Sequence, residues 1–513
     1  MKPQRISINA IVKLANLALD GIIALVVVSY FVRRLGPEAY GIVPWLTSLF
    51  VFFTIIPTAV QTAAGRFLTY ALGRRNTAEA SQYFSTSFFL CAGLGILGFL
   101  VTGVLAWLGS GIFPFKPEHV PDARALTLLL GSAVSLDIAR GPLSLGYFAR
   151  QRFDIEFGVM MASGVLRLAL ILVLSELLGI SLLWIGVGAL AGAVLRMAGG
   201  LYFIKRLLPE VMPSWRTISA RLFRPLAIFA LEVLLAGVGL VILNQADILV
   251  AGWLLGPAAV TVYFCGAKWS LLLRAVIGSC TTVLVPQVTT LQAEGKLDLI
   301  LQLARRANRL VMPLGWLIAG LLLAFSRPLI LTWVGPEQAT AIDILRVIAL
   351  PMAIAVSAYV ALSVLTGIGK IRESSLSALA IGLVNPVLSV FLVLQLGMGV
   401  VGIALASAGC LVARNGIYIP LLIRRHAGLP LWNYYRQMAY SALAAVPSFV
   451  AGFLAAEHLN LIGWAKLIPA AIVCSLPSLA VLVFIIARPE DRKLLKSLLP
   501  FFQPETADSE GRV

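Results

Sequence analysis

The sequence predicts an all-α polytopic membrane protein with fourteen transmembrane helices, and three observations carry the prediction. Of its 513 residues, 60% are hydrophobic and 12% are charged, against about 25% charged in an ordinary soluble domain. The apolar residues fall into runs of the length, about 20 residues, that crosses a hydrocarbon core as a helix. Such runs are too long for barrel strands, and closed barrels are the other structure that leaves no backbone group unpaired in lipid.

Taken in order, the first run, 10–32, follows a charged start and outlasts a signal-peptide core, with no small-residue cleavage site after it. It reads as a retained span. Runs at 41–64, 83–108, 123–149, 157–177 and 180–204 follow. KRLLPEVMPSWRTISARLF (205–223) mixes bulky apolar residues with positive charge and reads as an interfacial linker. The next runs are 225–250, 257–284, 308–326, 342–366, 375–397 and 399–423, with 288–309 expected to form a further helix on the inner surface. Runs at 438–456 and 466–487 complete the fourteen, and DRKLLKSLLPFF (491–502) reads as an interfacial tail.

Charge orients the chain. With the N-terminus inside, 27 of the 40 Lys and Arg fall in inner segments, 6 in outer segments and 7 within spans. That asymmetry places both termini in the cytoplasm. The basic residues sit in short breaks between apolar runs and form no basic face on a water-soluble module, so nucleic acid is excluded as a partner. Cys91, Cys265, Cys280, Cys410 and Cys474 lie inside apolar runs, and His119, His426 and His458 stand alone in predicted loops. Neither set has metal-ligand spacing, so no metal or other cofactor is expected.

One turn occurs twice. Leu35, Gly36, Pro37 and Ala39 follow the first span, and Leu255, Gly256, Pro257 and Ala259 follow the seventh, each at the same offset in the numbering. KPEHV at 116 and GPEQA at 335 repeat that interval approximately. A single Gly-Pro is an ordinary helix stop, but four matching marks predict two parallel six-helix bundles related by a pseudo-twofold. The expected organisation is a first bundle over 1–204, a linker over 205–224, a second bundle over 225–423, two added helices over 424–487 and a tail over 488–513. Paired bundles with a cavity between them are a transporter arrangement that works by alternating access.

Ionisable groups at membrane depth mark pathways or binding sites. Asn9, Lys13, Asn16 and Asp20 share one face of the first helix, and Thr54, Thr58, Gln61 and Gly65 form a similar stripe on the second. Within the spans lie the bases Arg140, Arg167, Arg196, Lys268, Arg274, Arg346 and Arg414, against the acids Asp20, Asp137, Glu232 and Asp247. Asp137 and Arg140, three apart, can pair, and Arg196 and Arg414 can snorkel to the surface. The surplus of bases points to an anionic guest such as a phosphate. Asn244 and Asp247 occupy nearby faces of the seventh helix, while Asn385 can bind sugar or satisfy the backbone that Pro386 opens.

FVRRLGPEAYGIVPWLTSLF (31–50) and QTAAGRFLTYALGRRN (61–76) resemble the polysaccharide transporter branch of the superfamily that also contains multidrug extruders and lipid II flippases. Fourteen spans fit the lipid-linked-saccharide branches better than a twelve-span drug extruder. The resemblance implies a non-enzymatic flippase moving undecaprenyl-pyrophosphate-linked oligosaccharide from the inner to the outer leaflet of a bacterial or archaeal cytoplasmic membrane. On that reading Arg140, Arg167, Lys268, Arg274 and Arg414 are candidates for the pyrophosphate, and Asn16, Gln61, Asn244 and Asn385 for the sugar. Asp20, Glu232 and Asp247 are candidates for coupling to a proton or sodium gradient or the membrane potential. The implied partners are the lipid-linked oligosaccharide, membrane lipids, and a polysaccharide polymerase with its export machinery. A cation-coupled multidrug antiporter of the same superfamily is the alternative. A membrane glycosyltransferase or polymerase is a third reading, disfavoured by the lack of a sizeable soluble domain.

Overall fold

The computed structural model describes the backbone of residues 3–112 and 116–486. The side chains of 3–11, 110–112 and 485–486, and of scattered positions within 220–236 that include Glu232, lie outside the described residues, as does the expected interfacial tail. Among the described residues every regular element is helical. Thirteen segments are long and apolar enough to cross a membrane.

The first of these, Val12–Gly73, is 62 residues long, about 90 Å at about 1.5 Å per residue, and so more than twice the hydrocarbon thickness. It breaks at Gly36, whose φ of 81° and ψ of 170° are not helical. Counting it as two spans gives the fourteen expected. We number them α1 (3–35), α2 (37–73), α3 (Thr77–Gly109), α4 (Pro117–Arg150), α5 (Phe153–Leu178), α6 (Leu183–Leu207) and α7 (Ala220–Leu255). The rest are α8 (Pro257–Ala293), α9 (Leu297–Ala324), α10 (Thr340–Gly367), α11 (Ile371–Leu394), α12 (Gly399–Ala427), α13 (Leu431–His458) and α14 (Trp464–Phe484).

The linker after α6 docks on α3: Ser214 N and Thr217 Oγ1 donate to Ser85 Oγ at 3.1 and 2.7 Å, and Trp215 stacks on Phe89 at 3.6 Å. Residues 288–309 do not make a separate surface helix. They form the end of α8, a turn at Gly295 with φ of 70°, and the first turns of α9. A helix propagates past the membrane edge as readily as within it, so the arginines of this stretch extend α9 instead of ending it.

The repeated turn is repeated in backbone. Gly256 has φ 85° and ψ 175°, matching Gly36, and Gly335 before Pro336 has φ 93° and ψ 173°. An L-residue rarely adopts these angles, which explains glycine at all three. The PEH and PEQ marks each form one 3-10 turn, Pro117–His119 and Pro336–Gln338. The inner turns agree as well. Arg75 N donates to Leu72 O and Asn76 N to Ala71 O, as Gly295 N does to Gln292 O and Lys296 N to Leu291 O. These positions are related by the same offset as the two Gly-Pro turns.

By packing, the chain divides into two compact units. The first comprises the chain up to Leu272, Trp333–Ile348 and Arg372–Cys410; the second comprises Leu273–Thr332, Ala349–Ile371 and the chain from Leu411. Within the first, Leu68, Phe84, Leu143, Ile204 and Leu226 belong to one buried cluster. Within the second, Ile300, Met312, Leu365, Ile419 and Tyr434 form another.

The first unit also holds a reciprocal contact between the two Gly-Pro turns. Thr261 Oγ1 donates to Pro37 O at 2.6 Å, and Gly41 lies so close to Pro257 that a Cβ there would land on the Pro257 carbonyl. Under the offset that relates the repeats, Pro37 corresponds to Pro257 and Gly41 to Thr261. The pair 37 and 261 therefore maps onto the pair 257 and 41, the self-complementary relation that a twofold axis imposes.

Candidate functional site

A cavity of about 340 Å³ opens inside the first unit, lined from α1, α2, α4, α5 and α6. Each helix contributes polar residues from one face, because residues three or four apart stack on the same side. From α2 come Thr54, Thr58 and Gln61, and from α1 comes Asp20. The hydroxyls of Thr54 and Thr58 turn back on the carbonyls of Val51 and Thr54, so a ligand meets their oxygen lone pairs. Asn16, one turn before Asp20, donates to its carboxylate at 2.9 Å.

The lining from α4, α5 and α6 carries three guanidinium groups. Asp137 on α4 accepts from two of them: Arg196 Nε and Nη2 at 3.0 and 2.6 Å in a two-pronged pair, and Arg140 Nε at 3.2 Å. Arg196 Nη1 also donates to Ser163 Oγ at 3.1 Å. The third, Arg167, makes no hydrogen bond or ion pair among the described residues, and its Nε is fully covered. It lies close to midway along α5, between Phe153 and Leu178. For a helix spanning a hydrocarbon core about 30 Å thick, that position is near the membrane middle. Arg196 sits equally deep in α6. An unpaired guanidinium at that depth, facing a cavity, offers planar donors to a guest that brings negative charge.

Asp137 holds two arginines together. Replacing it with asparagine (D137N) is expected to lower the protein's stability by about 2 kcal/mol. A sealed buried pair costs about 3–5 kcal/mol to break, but the Asp137 side chain is 30% exposed. Thermal unfolding of the purified protein in detergent is the check, and an unchanged midpoint would show that solvent already screens the two arginines.

The remaining candidates lie elsewhere. Lys268, on α8 in the first unit, stacks over Phe264 at 5.3 Å and repels Arg167, but it does not line the cavity. Asp247, Asn385, Tyr263 and Ser407 form a separate buried cluster tying α7, α8, α11 and α12 within the first unit. Asn385 Nδ2 donates to Asp247 Oδ1 at 2.7 Å, while the Tyr263 and Ser407 hydroxyls donate to Oδ2. The Asn385 amide is thus engaged by a carboxylate instead of by backbone opened at Pro386. Asn244 precedes Asp247 by one turn on α7, outside the cavity lining. Arg274 and Arg414 belong to the second unit and repel one another there. Arg414 lies in a π-helical turn, Val412–Tyr418, and donates to Asn415 Oδ1 at 3.0 Å. The side chain of Glu232, on α7, is outside the described residues.

Sequence reasoning named Arg140, Arg167, Gln61 and Asp20, all of which line this one cavity. Arg196, which from sequence alone can snorkel to the surface, and Ser163, which carries no sequence signal, also line it. No local signal links Arg196 on α6 to Asp137 on α4, and only the overall surplus of bases hinted that some would converge.

Every residue of this cavity falls inside a wider match. The family model described as "Polysaccharide biosynthesis protein" matches residues 8–292, more than half of the chain. The chain belongs to this family. The resemblance seen in the opening helices is therefore borne out, and the family match continues past the second Gly-Pro turn. The chain is 25% identical over 496 residues to the "Uncharacterized membrane protein EpsK" of Bacillus subtilis (strain 168), covering 96% of this chain and 97% of that one.

Among solved structures it is similar to the lipid II flippase MurJ in an inward closed conformation. The TM-score is 0.68 at 12% identity, over 92% of this chain and 98% of that one. It is also similar to a multidrug resistance MATE family transporter of the MOP superfamily in an inward-facing conformation. There the TM-score is 0.67 at 15% identity, over 84% and 98% of the respective chains. At these identities the likeness is one of fold, and the fold is a multi-pass membrane fold with solved members described as a flippase and as transporters.

Proposed function

We propose that the protein is a flippase that moves undecaprenyl-pyrophosphate-linked oligosaccharide repeat units from the inner to the outer leaflet of the cytoplasmic membrane, for cell-surface polysaccharide synthesis. The carrying observation is the cavity with three guanidinium groups against two carboxylates, one of them, Arg167, unpaired near the membrane middle. Guanidinium donors hold phosphate oxygens in charge-assisted hydrogen bonds, and a pyrophosphate offers several such oxygens. Gln61, Thr54 and Thr58 supply the polar surface that a sugar needs, while the polyprenyl chain stays in lipid. Membership of a polysaccharide biosynthesis family supports the substrate class.

On this reading both termini are cytoplasmic, and two parallel six-helix bundles, 1–204 and 225–423, alternate access to the leaflets. Asp20, held by Asn16 in the same cavity, couples the movement to an ion gradient. A polysaccharide polymerase and export machinery receive the product.

The test is leaflet transfer in proteoliposomes of the purified protein, read with a membrane-impermeant reagent against a labelled undecaprenyl-pyrophosphate oligosaccharide. Transfer above that in empty liposomes, with no flux of small organic cations, is expected. Gradient-driven flux of organic cations without lipid-saccharide transfer would replace the proposal with the drug antiporter, and newly formed glycosidic bonds would replace it with a polymerase.

A further inference from the structure

A second polar cavity, of about 250 Å³, lies within the second unit, lined from α9 and the start of α13. Arg305 and Arg309, one helical turn apart on α9, and Arg436 on α13 line it, and no Asp or Glu is among its lining residues. Asn308 and Tyr434 also line it, though they are only 4% and 2% exposed. Asn308 Oδ1 and the Tyr434 hydroxyl have no hydrogen-bond partner among the described residues. A buried polar atom without a partner costs about 1–3 kcal/mol, so this arrangement is incomplete without a ligand.

The donor set specifies what completes it. Three guanidinium groups with no carboxylate among them call for a phosphate. Asn308 Oδ1 accepts hydrogen bonds and cannot donate, so a hydroxyl carried by the same ligand would satisfy it. The surroundings specify where the ligand comes from. Arg436, Tyr440, Leu443 and Val450 recur at helical spacing along one face of α13. Leu443 is 65% exposed and Val450 45%. At the other end of this face Trp432 is also exposed, an aromatic residue of the kind that marks the membrane interface. The arginines therefore sit at headgroup level, with a lipid-facing apolar track running from them.

We propose that this cavity binds the headgroup of an anionic glycerophospholipid. Arg305, Arg309 and Arg436 hold the phosphate, Asn308 Oδ1 accepts a headgroup hydroxyl, and the acyl chains follow Leu443 and Val450. The site is distinct from the transport cavity, and its occupancy does not depend on what the protein transports.

The experiment measures binding of fluorescent phosphatidylglycerol to the full-length protein in detergent, with phosphatidylcholine and phosphatidic acid as comparators and glycerol 3-phosphate as a soluble competitor. Phosphatidylglycerol is expected to bind at least tenfold more tightly than phosphatidylcholine. R305Q/R436Q, which alters two side chains at the cavity rim and leaves the core intact, is expected to weaken phosphatidylglycerol about tenfold, the loss of one charge-assisted hydrogen bond or more. Wild-type affinity in that variant would overturn the proposal. Displacement by millimolar glycerol 3-phosphate would overturn the lipid source in favour of a soluble phosphate ester. N308A is expected to weaken phosphatidylglycerol while sparing phosphatidic acid, which has no glycerol headgroup and so no alcohol hydroxyl beyond the phosphate. An equal effect on both lipids would overturn the assignment of Asn308, and because the ratio is taken within one variant, a general loss of stability cannot mimic it.

Discussion

Replacing Arg167 with glutamine (R167Q) is expected to slow transfer of the lipid-linked oligosaccharide about 10- to 100-fold while leaving thermal stability unchanged or raised. The two halves of this expectation have one cause. A hydrogen bond to a charged group contributes about 1.5–3 kcal/mol, and about 1.4 kcal/mol is a factor of ten in rate or affinity. Arg167 offers such bonds to a guest and makes none among the described residues. Its like-charged neighbours Arg196 and Lys268 repel it and work against the attraction of Asp20. Removing it relieves the resting protein and deprives the guest, the trade-off expected where function holds a group in an unfavourable place. Transfer assays and thermal unfolding on the same preparation decide the matter. Lost stability with proportional loss of transfer would make Arg167 a structural residue, and normal transfer would remove it from the site.

Gly41→Ala is expected to be the most damaging single-methyl change in the described part of the chain, destabilising by about 3 kcal/mol or more. The new Cβ would meet the backbone carbonyl of Pro257, which no side-chain rotation can move. To make room, α2 would have to separate from the start of α8 and lose the hydrogen bond from Thr261 to Pro37. Yield of folded protein and its elution on gel filtration are the measures. Wild-type yield and melting temperature in G41A would mean that the two turns are less tightly joined than described. Thr261→Val, which removes only the hydrogen bond, should cost about 1 kcal/mol and separates that contribution from the steric one.

Much of the fold was legible because lipid enforces a simple code of apolar runs broken by charge and Gly-Pro turns. The code does not show how one helix is rotated toward another. The stripe of Thr54, Thr58 and Gln61 could be read because it lies on one helix. Asp137 with Arg196, or Asp247 with Asn385 and Ser407, could not, because each partner is a lone polar residue on its own span. The second cavity was missed for a related reason. Arg305 and Arg309 stand on α9 and Arg436 on α13, and only the approach of the two helices makes them converge with Asn308.

The paired turns also bear on ancestry. A contact in which 37 meets 261 and 257 meets 41 is what the interface of a homodimer becomes when two copies of a gene fuse into one. In a homodimer the corresponding positions must be identical, so a residue suited to one role is forced into both. A single chain is free of that constraint, and here the two corresponding positions differ. One copy carries glycine at position 41, where only a missing side chain fits against Pro257, while the other carries threonine at 261, where a hydroxyl is needed to reach Pro37.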